Sequence, residues 1–363
     1  MEPLKNIYSE KFLSDYASRL GRVYTDFDEI KFIKKTLSAP WSDLELKQRM
    51  SRIAEVTIEL LPSDVFLAAT ILEQLCEEVS HSTPGMNFGY MFVPECIEKM
   101  LLPHPERAFE AFEKITSFTS CEFAVRIFLI KHQELGMSYM YKFADSPKEG
   151  VRRFASEGCR PRLPWAMALP TLIKDPTPIF PILLNLMDDP SEFVRRSVSN
   201  NLNDISKDHE DLVLDFARKH LNDGAERKKL IKHGLRTLLK KGHMQALNLF
   251  GSDAAHFEMV QFQAAATVEV GDYLPFGFEL ANTDDKALDL RLEYAIYFRL
   301  ANGMHNKKVF KITERQLAAS DTLSITKRHS FKPITTRKYY MGEHHLSIII
   351  NGREQSKLPF LLG

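Results

Sequence analysis

Two stretches of this chain repeat each other. Asp145-Ser-Pro-Lys-Glu-Gly-Val151-Arg152-Arg153-Phe-Ala-Ser-Glu157 resembles Asp188-Asp-Pro-Ser-Glu-Phe-Val194-Arg195-Arg196-Ser-Val-Ser-Asn200, and the Val-Arg-Arg triplets lie 43 residues apart, from Val151 to Val194. Such a period falls within the roughly 40–47 residues of HEAT and armadillo helical pairs. One pair cannot bury its own apolar face, so the chain must stack several into a curved array, with second helices lining a concave surface. A third, looser unit follows in 225–242, with a helix predicted over Lys229–Lys241. The register sets Arg153 over Arg196 and Glu157 over Asn200, which predicts a row of polar groups along that surface.

The rest of the first 250 residues agrees with this reading. Apolar residues recur at three- and four-residue spacing in Gln48–Leu61, Val65–Glu77 and Pro178–Met187, and no strand-like alternation interrupts them. After residue 255 the period changes to two. Strands are predicted at Phe257–Gln263, Phe276–Ala281, Leu288–Leu300, Val309–Thr313, Leu323–Phe331 and Leu346–Ile350. The last turns through Asn351-Gly352, a type I′ signal, into Arg353–Leu361. About seven short strands suggest an immunoglobulin-like sandwich. The fold expected is two domains, an all-α HEAT-like helical solenoid over residues 1–252 and an all-β immunoglobulin-like sandwich over 256–363, with the boundary in Gly251–His256.

Composition excludes several classes. No apolar run approaches the roughly 20 residues that cross a bilayer, and the N-terminus shows no basic region followed by an apolar one. Cys76, Cys96, Cys121 and Cys159 are scattered without a CxxC pair, so reduced thiols in a cytoplasmic protein are expected. His104, His132, His209, His233 and His243 lack ligand spacing such as HExxH, so neither metal nor cofactor is expected. Net charge is zero but polarised: −7 over residues 1–122 (20 acidic, 13 basic), +6 over 226–241, and +7 over 307–338 (nine basic, two acidic). Polarised charge can give a neutral protein a basic surface.

The chemistry concentrates in 151–165, which holds four arginines, Glu157 and Trp165. The run up to Arg160 reads as a helix that Pro161 and Pro164 end. Arg153, Glu157 and Arg160, at i, i+4 and i+7, share one face, and Trp165 is predicted to open the next helix directly after Pro164. A carboxylate among arginines beside an indole suits an anion's backbone with a cation next to it. Read alone, these residues also fit an i,i+4 salt bridge at Glu157, a local pair of Glu122 with Arg126, and core packing of Trp165.

Phe154-Ala-Ser-Glu-Gly-Cys-Arg-Pro-Arg-Leu-Pro-Trp165 resembles a signature of the AlkC branch of the HEAT-repeat alkylbase DNA glycosylases. So do Glu122-Phe-Ala-Val-Arg126, the run Val194–His209, and His233-Gly-Leu-Arg-Thr-Leu-Leu-Lys-Lys-Gly242, along with Glu2-Pro-Leu-Lys-Asn and Glu45-Leu-Lys-Gln-Arg-Met50. The resemblance implies a cofactor-free, monofunctional glycosylase of base excision repair, acting as a monomer on double-stranded DNA that contains alkylated bases. It further implies a bacterial cytoplasmic protein, nucleoid-associated when at work, with neither membrane nor obligate protein partner. The substrates implied are cationic N3-alkylated bases, 3-methyladenine and 3-methylcytosine among them, with the base left stacked. Glu157 and Glu122 are then the candidate catalytic carboxylates and Trp165 the cation's aromatic partner. Arg153, Arg160, Arg162, Arg196, Asn200, Asp204, Lys207, Arg236 and Lys240 are the candidate DNA-binding residues, with Asp204 a candidate contributor to catalysis. The alternative is a helical scaffold that binds DNA or a protein without chemistry.

Overall fold

The computed structural model describes residues 3–82, 85–250, 257–334 and 337–363. The expected boundary Gly251–His256, and Glu2 of the opening motif, lie outside the described residues. The helices are α1 (Glu10–Val23), α2 (Glu29–Thr36), α3 (Leu46–Leu60), α4 (Val65–Ser82), α5 (Phe92–Leu101), α6 (Pro105–Ile115), α7 (Val125–Lys131) and α8 (Gln133–Ala144). Then come α9 (Glu149–Gly158), α10 (Pro170–Lys174), α11 (Phe180–Leu186), α12 (Glu192–Ile205), α13 (Glu210–His220), α14 (Ala225–Gly234), α15 (Arg236–Lys241) and α16 (Met244–Asn248). None among the described residues is long and apolar enough to cross a membrane.

The chain divides into two compact units, Met1–Glu210 with Asn222–Gly234, and Asp211–Leu221 with Leu235–Gly363. In the first, the internal repeat is a repeat in three dimensions. Arg152 of α9 donates Nη1 to the carbonyls of Ser146 and Pro147, both at 3.0 Å. Arg195 of α12 makes the matching bonds to Asp189 at 2.6 Å and Pro190 at 3.0 Å. The first arginine of each triplet thus ties the turn before its own helix. Each also reaches the next unit, Arg152 forking onto Asp189 and Arg195 approaching Glu226. The second arginines, Arg153 and Arg196, are left for other work.

Three sequence expectations need correction here. The Arg153–Arg160 helix ends at Gly158, two residues early, with Cys159 as its C-cap. Trp165 opens no helix. It sits in a turn at φ 65°, and α10 starts at Pro170. The groups such a helix would pair are engaged elsewhere: Leu169 N–H donates to the Pro161 carbonyl, Lys47 donates to the Trp165 carbonyl and Arg126 to that of Met167. The helix predicted over Lys229–Lys241 is two, α14 and α15, broken at Leu235 (φ −90°, ψ 5°).

In the second unit, the strands are β1 (Phe257–Ala264), β2 (Thr267–Val268), β3 (Tyr273–Asn282), β4 (Leu288–Arg299), β5 (His305–Leu317), β6 (Thr322–Ser330), β7 (Gly342–Ile350) and β8 (Arg353–Leu362). They form two sheets, ordered β1-β3-β6 and β2-β8-β7-β4-β5, enclosing a core that includes Phe276, Phe278, Ile296, Phe298, Leu346, Ile348 and Phe360. β2, two residues pairing parallel to β8, is too short to leave a pattern in the sequence. Asn351 (φ 49°) and Gly352 (φ 75°) make the expected hairpin turn. Gly242 lies against this turn, so that a Cβ on it would meet the Gly352 carbonyl oxygen at 2.9 Å. Both positions need glycine. Much of the basic 307–338 segment falls on β5 and β6, each at a sheet edge, where lysines also discourage edge-to-edge pairing.

Candidate active site

α9 is built to carry charge on one side. Val151, Phe154, Ala155 and Gly158 bury its apolar stripe, which leaves Arg153 and Glu157 together on the flank that faces the turn 121–124 and α12. That turn presents Glu122, and Ser120 precedes it. Arg153 donates Nη1 to Glu122 Oε2 and, at 2.8 Å, to Ser120 Oγ, and its Nη2 lies 3.7 Å from Glu157 Oε1. Arg160 donates Nη1 to Glu157 Oε1 and Nε to Asp204 Oδ2 at 2.8 Å, and Lys207 completes the run on Asp204 Oδ1 at 2.7 Å. The result is one line of alternating charge: Glu122, Arg153, Glu157, Arg160, Asp204, Lys207. Burial alone would lower the Arg160 guanidinium, but Glu157 and Asp204 outweigh it and hold it above its usual range.

The two carboxylates differ. Both oxygens of Glu157 are engaged, Oε1 by the arginines and Oε2 by Ser197 Oγ at 2.6 Å. On Glu122, Ser120 and Arg153 both bind Oε2. Oε1 has no partner among the described residues, and the side chain is 13% exposed against 6% for Glu157. Glu122 therefore offers one oxygen to whatever enters.

Above this floor a cleft of ≈ 580 Å³ is lined by Ser120, Glu122, Arg153, Glu157 and Arg160 together with Met86, Phe88, Met91, Phe123, Leu163, Pro164, Trp165 and Phe193. Trp165 is 67% exposed, so it is no core residue, and Met86, Phe88 and Phe193 are exposed around the same cleft. An apolar rim of this kind marks a binding surface. The Phe193 ring lies 5.0 Å from the Arg153 guanidinium. Trp165 is held out by its backbone: Lys47 donates to its carbonyl, and the loop beneath is pinned by Arg126.

Arg126 does not pair with Glu122 as the sequence allowed. Its buried guanidinium donates to the carbonyl of Gly158, at the end of α9, and to those of Arg160, Pro161 and Met167 in the loop between α9 and α10. Burial lowers it to about 10, which leaves it charged at neutral pH.

The other predicted residues are placed as follows. Asp204 is buried behind Arg160, away from the cleft lining. Exposed Arg162 forks onto Asp208 at 2.6 and 2.8 Å. Arg196, 65% exposed, pairs with Glu192. Asn200 is half-buried on α12, and Arg236 and Lys240 belong to α15 of the second unit. Glu157 meets Ser197 rather than Asn200, because helical side chains lean toward their N-terminus and reach a neighbour one turn earlier. Ser120, Ser197, Arg126 and Phe193 were not predicted. Ser197 did leave a signal, since it occupies the repeat position held by core Phe154 in the preceding unit. A polar residue on a stripe that is otherwise apolar points to a buried partner.

Residues 86–234 match the family described as DNA alkylation repair enzyme, and residues 258–363 match the C-terminal immunoglobulin-like domain of the uncharacterised protein YhaZ. Over 363 residues the chain is 40% identical to uncharacterised protein YhaZ of Bacillus subtilis (strain 168), covering 99% of each. Among solved structures it resembles the Pseudomonas fluorescens alkylpurine DNA glycosylase AlkC, bound to DNA containing an abasic site analog. That match has a TM-score of 0.92, 32% identity and full coverage of both chains.

Proposed function

The chain belongs to the DNA alkylation repair enzyme family, within its AlkC branch, and from that premise we propose that it is a monofunctional alkylbase DNA glycosylase that excises cationic N3-alkylated bases from duplex DNA. The observation that carries this reading is the unengaged Oε1 of Glu122 in the cleft. A scaffold that merely bound a polyanion would lose affinity by presenting a carboxylate there, whereas a glycosylase needs one.

An N3-alkylated base carries a positive charge and departs as a neutral molecule, so no general acid is required. Charge then builds on the sugar as an oxocarbenium-like centre, as in glycoside hydrolysis. Fixed negative groups in a partly dry site stabilise such a centre far better than water does. In this assignment Glu122 faces the sugar and accepts a proton from the attacking water through its open oxygen. Glu157, locked by Ser197 and two arginines, supplies a fixed negative field and holds Arg153 and Arg160. The Trp165 indole, projecting from a rigid turn, contributes about 0.5–2 kcal/mol by facing the cationic nucleotide. Because the carboxylates form the floor of an open cleft, the reading needs no flipped base.

Exposed ion pairs are worth only about 0–1 kcal/mol. Arg162 and Arg196 can therefore exchange Asp208 and Glu192 for DNA phosphates at little cost. On the second unit, Arg236, Lys240 and the basic 307–338 segment are proposed phosphate contacts of their own; on the first, Arg153, Arg160 and Lys207 order the carboxylates. Incubation with methylated duplex DNA, with released bases identified by chromatography and mass detection, tests the proposal. Release of 3-methyladenine with 7-methylguanine left in place supports it. Tight binding without release of any base leaves the scaffold.

A further inference from the structure

Beside the cleft lies a second cavity of ≈ 330 Å³, and Met91, Ser120 and Phe123 line both. Its size is at the lower end of the roughly 300–1,000 Å³ of small-molecule sites. Ser120 sits at the junction, with its hydroxyl donated to Glu122. Met50 from α3 and Met167 from the loop after Trp165 add soft, polarizable walls, a lining suited to the faces of a flat heterocycle.

One polar group in this cavity has no structural employment. Glu98 of α5 lines it, half-buried, with neither a hydrogen bond nor an ion pair among the described residues. Neither cation that lines the cavity serves it: Lys99 is bound to Glu55 and Glu95, and Lys47 donates to the Trp165 carbonyl. Burial, with Glu95 adding to it, pushes the Glu98 carboxyl up to about 7. Around neutrality a large share of it is protonated, and that form is a donor and an acceptor at once.

An excised alkyladenine is neutral, flat and small, and its N6–N7 edge sets a donor next to an acceptor. We propose that this cavity is a holding site for the released base, with Glu98 reading that edge bidentately and the base passing from the cleft past Ser120 and Phe123. The proposal rests on the glycosylase reading and deepens it by assigning the leaving group a destination apart from the catalytic carboxylates.

The test uses the full-length protein in wild-type, Glu98→Gln and Glu98→Leu forms. Binding of free 3-methyladenine is measured by calorimetry, and single-turnover excision from methylated duplex DNA is measured in parallel. Glutamine keeps both a donor and an acceptor, so its affinity is expected within about 3-fold of wild type; leucine removes both and weakens binding about 10-fold or more. All three should excise at similar rates, which also shows that the variants fold. Free base binding that Glu98→Leu does not weaken overturns the assignment, and so does wild-type protein that excises without binding the free base. Absence of excision by the wild-type protein removes the glycosylase reading and this proposal with it.

Discussion

Ser197 Oγ donates to Glu157 Oε2 at 2.6 Å, and so joins two helices, α9 and α12, that occupy corresponding places one repeat apart. Both partners are buried, the serine 2% and the glutamate 5% exposed. A hydrogen bond to a buried charge is worth about 1.5–3 kcal/mol. Ser197→Ala should thus slow single-turnover excision about 10-fold while leaving affinity for an abasic-site duplex unchanged. An unaltered rate would show that Glu157 is oriented by its arginines alone.

Arg126 should act on the site through the loop it holds. Methionine at this position removes the side-chain donors from the carbonyls of Gly158, Arg160 and Met167, while Pro161 keeps the Leu169 N–H. Each buried carbonyl left unpaired costs about 1–3 kcal/mol. Arg126→Met is expected to lower the thermal midpoint and to shift Trp165 emission, read in a Trp41→Phe background. Arg126→Lys, which keeps the charge and some of the bonds, should fall between. Unchanged emission in the methionine variant would mean that the loop is held without Arg126.

The sandwich carries a pH-dependent element of its own. His329 is buried among Phe298, Phe310 and Phe331, with Tyr294 Oη 2.9 Å from its Nδ1. Burial, with Arg337 adding to it, lowers the imidazole to about 4. An unfolded histidine titrates near 6.5. The folded value is the depressed one, so its contribution is complete above about 6.5 and is lost as pH falls toward 4, by about 3 kcal/mol at most. His329→Phe should flatten the pH dependence of stability in that window, measured by denaturant unfolding at pH 7 and pH 4.5. An equal slope in variant and wild type would move the acid sensitivity elsewhere.

Lys327 is exposed on β6, and Lys332 and Lys338 are exposed in the segment that follows it. If they meet DNA phosphates, replacing all three with glutamine should reduce the slope of log affinity against log salt by about 2–3, since each contact releases roughly 0.9 counterion. An unchanged slope would mean that these lysines make no contact with DNA phosphates.

The architecture was legible because it is written in periods. The Val-Arg-Arg repeat, the change of period after 255 and the Asn351-Gly352 turn each dictate local geometry. The line from Glu122 to Lys207 was legible in part, since i,i+4 spacing brings Arg153 and Glu157 together. Spacing is silent on which arginine serves which carboxylate, because Glu122 lies 31 residues from Arg153. The Trp165 turn was missed for a similar reason. Two prolines flank a segment that could have been helical, and only distant side chains, Arg126 and Lys47, claim its carbonyls. Arg126 belongs to the Glu122–Arg126 motif, where the near neighbour Glu122 makes a local pair the natural expectation.

The proposed catalysis rests on the Glu122 and Glu157 carboxylates acting on the reacting sugar, Glu157 buried and Glu122 half-buried at the cleft floor. Single-turnover excision of 3-methyladenine by Glu122→Gln and Glu157→Gln, alongside duplex affinity and thermal stability, tests it most directly. Glu122→Gln should lose about 10²–10³-fold in rate with affinity and stability near wild type. Glu157→Gln should lose at least as much in rate and also about 3 kcal/mol of stability, because Arg160 and Arg153 lose a buried countercharge. If Glu122→Gln excises at the wild-type rate, the open oxygen in the cleft does no chemistry and the assignment is wrong.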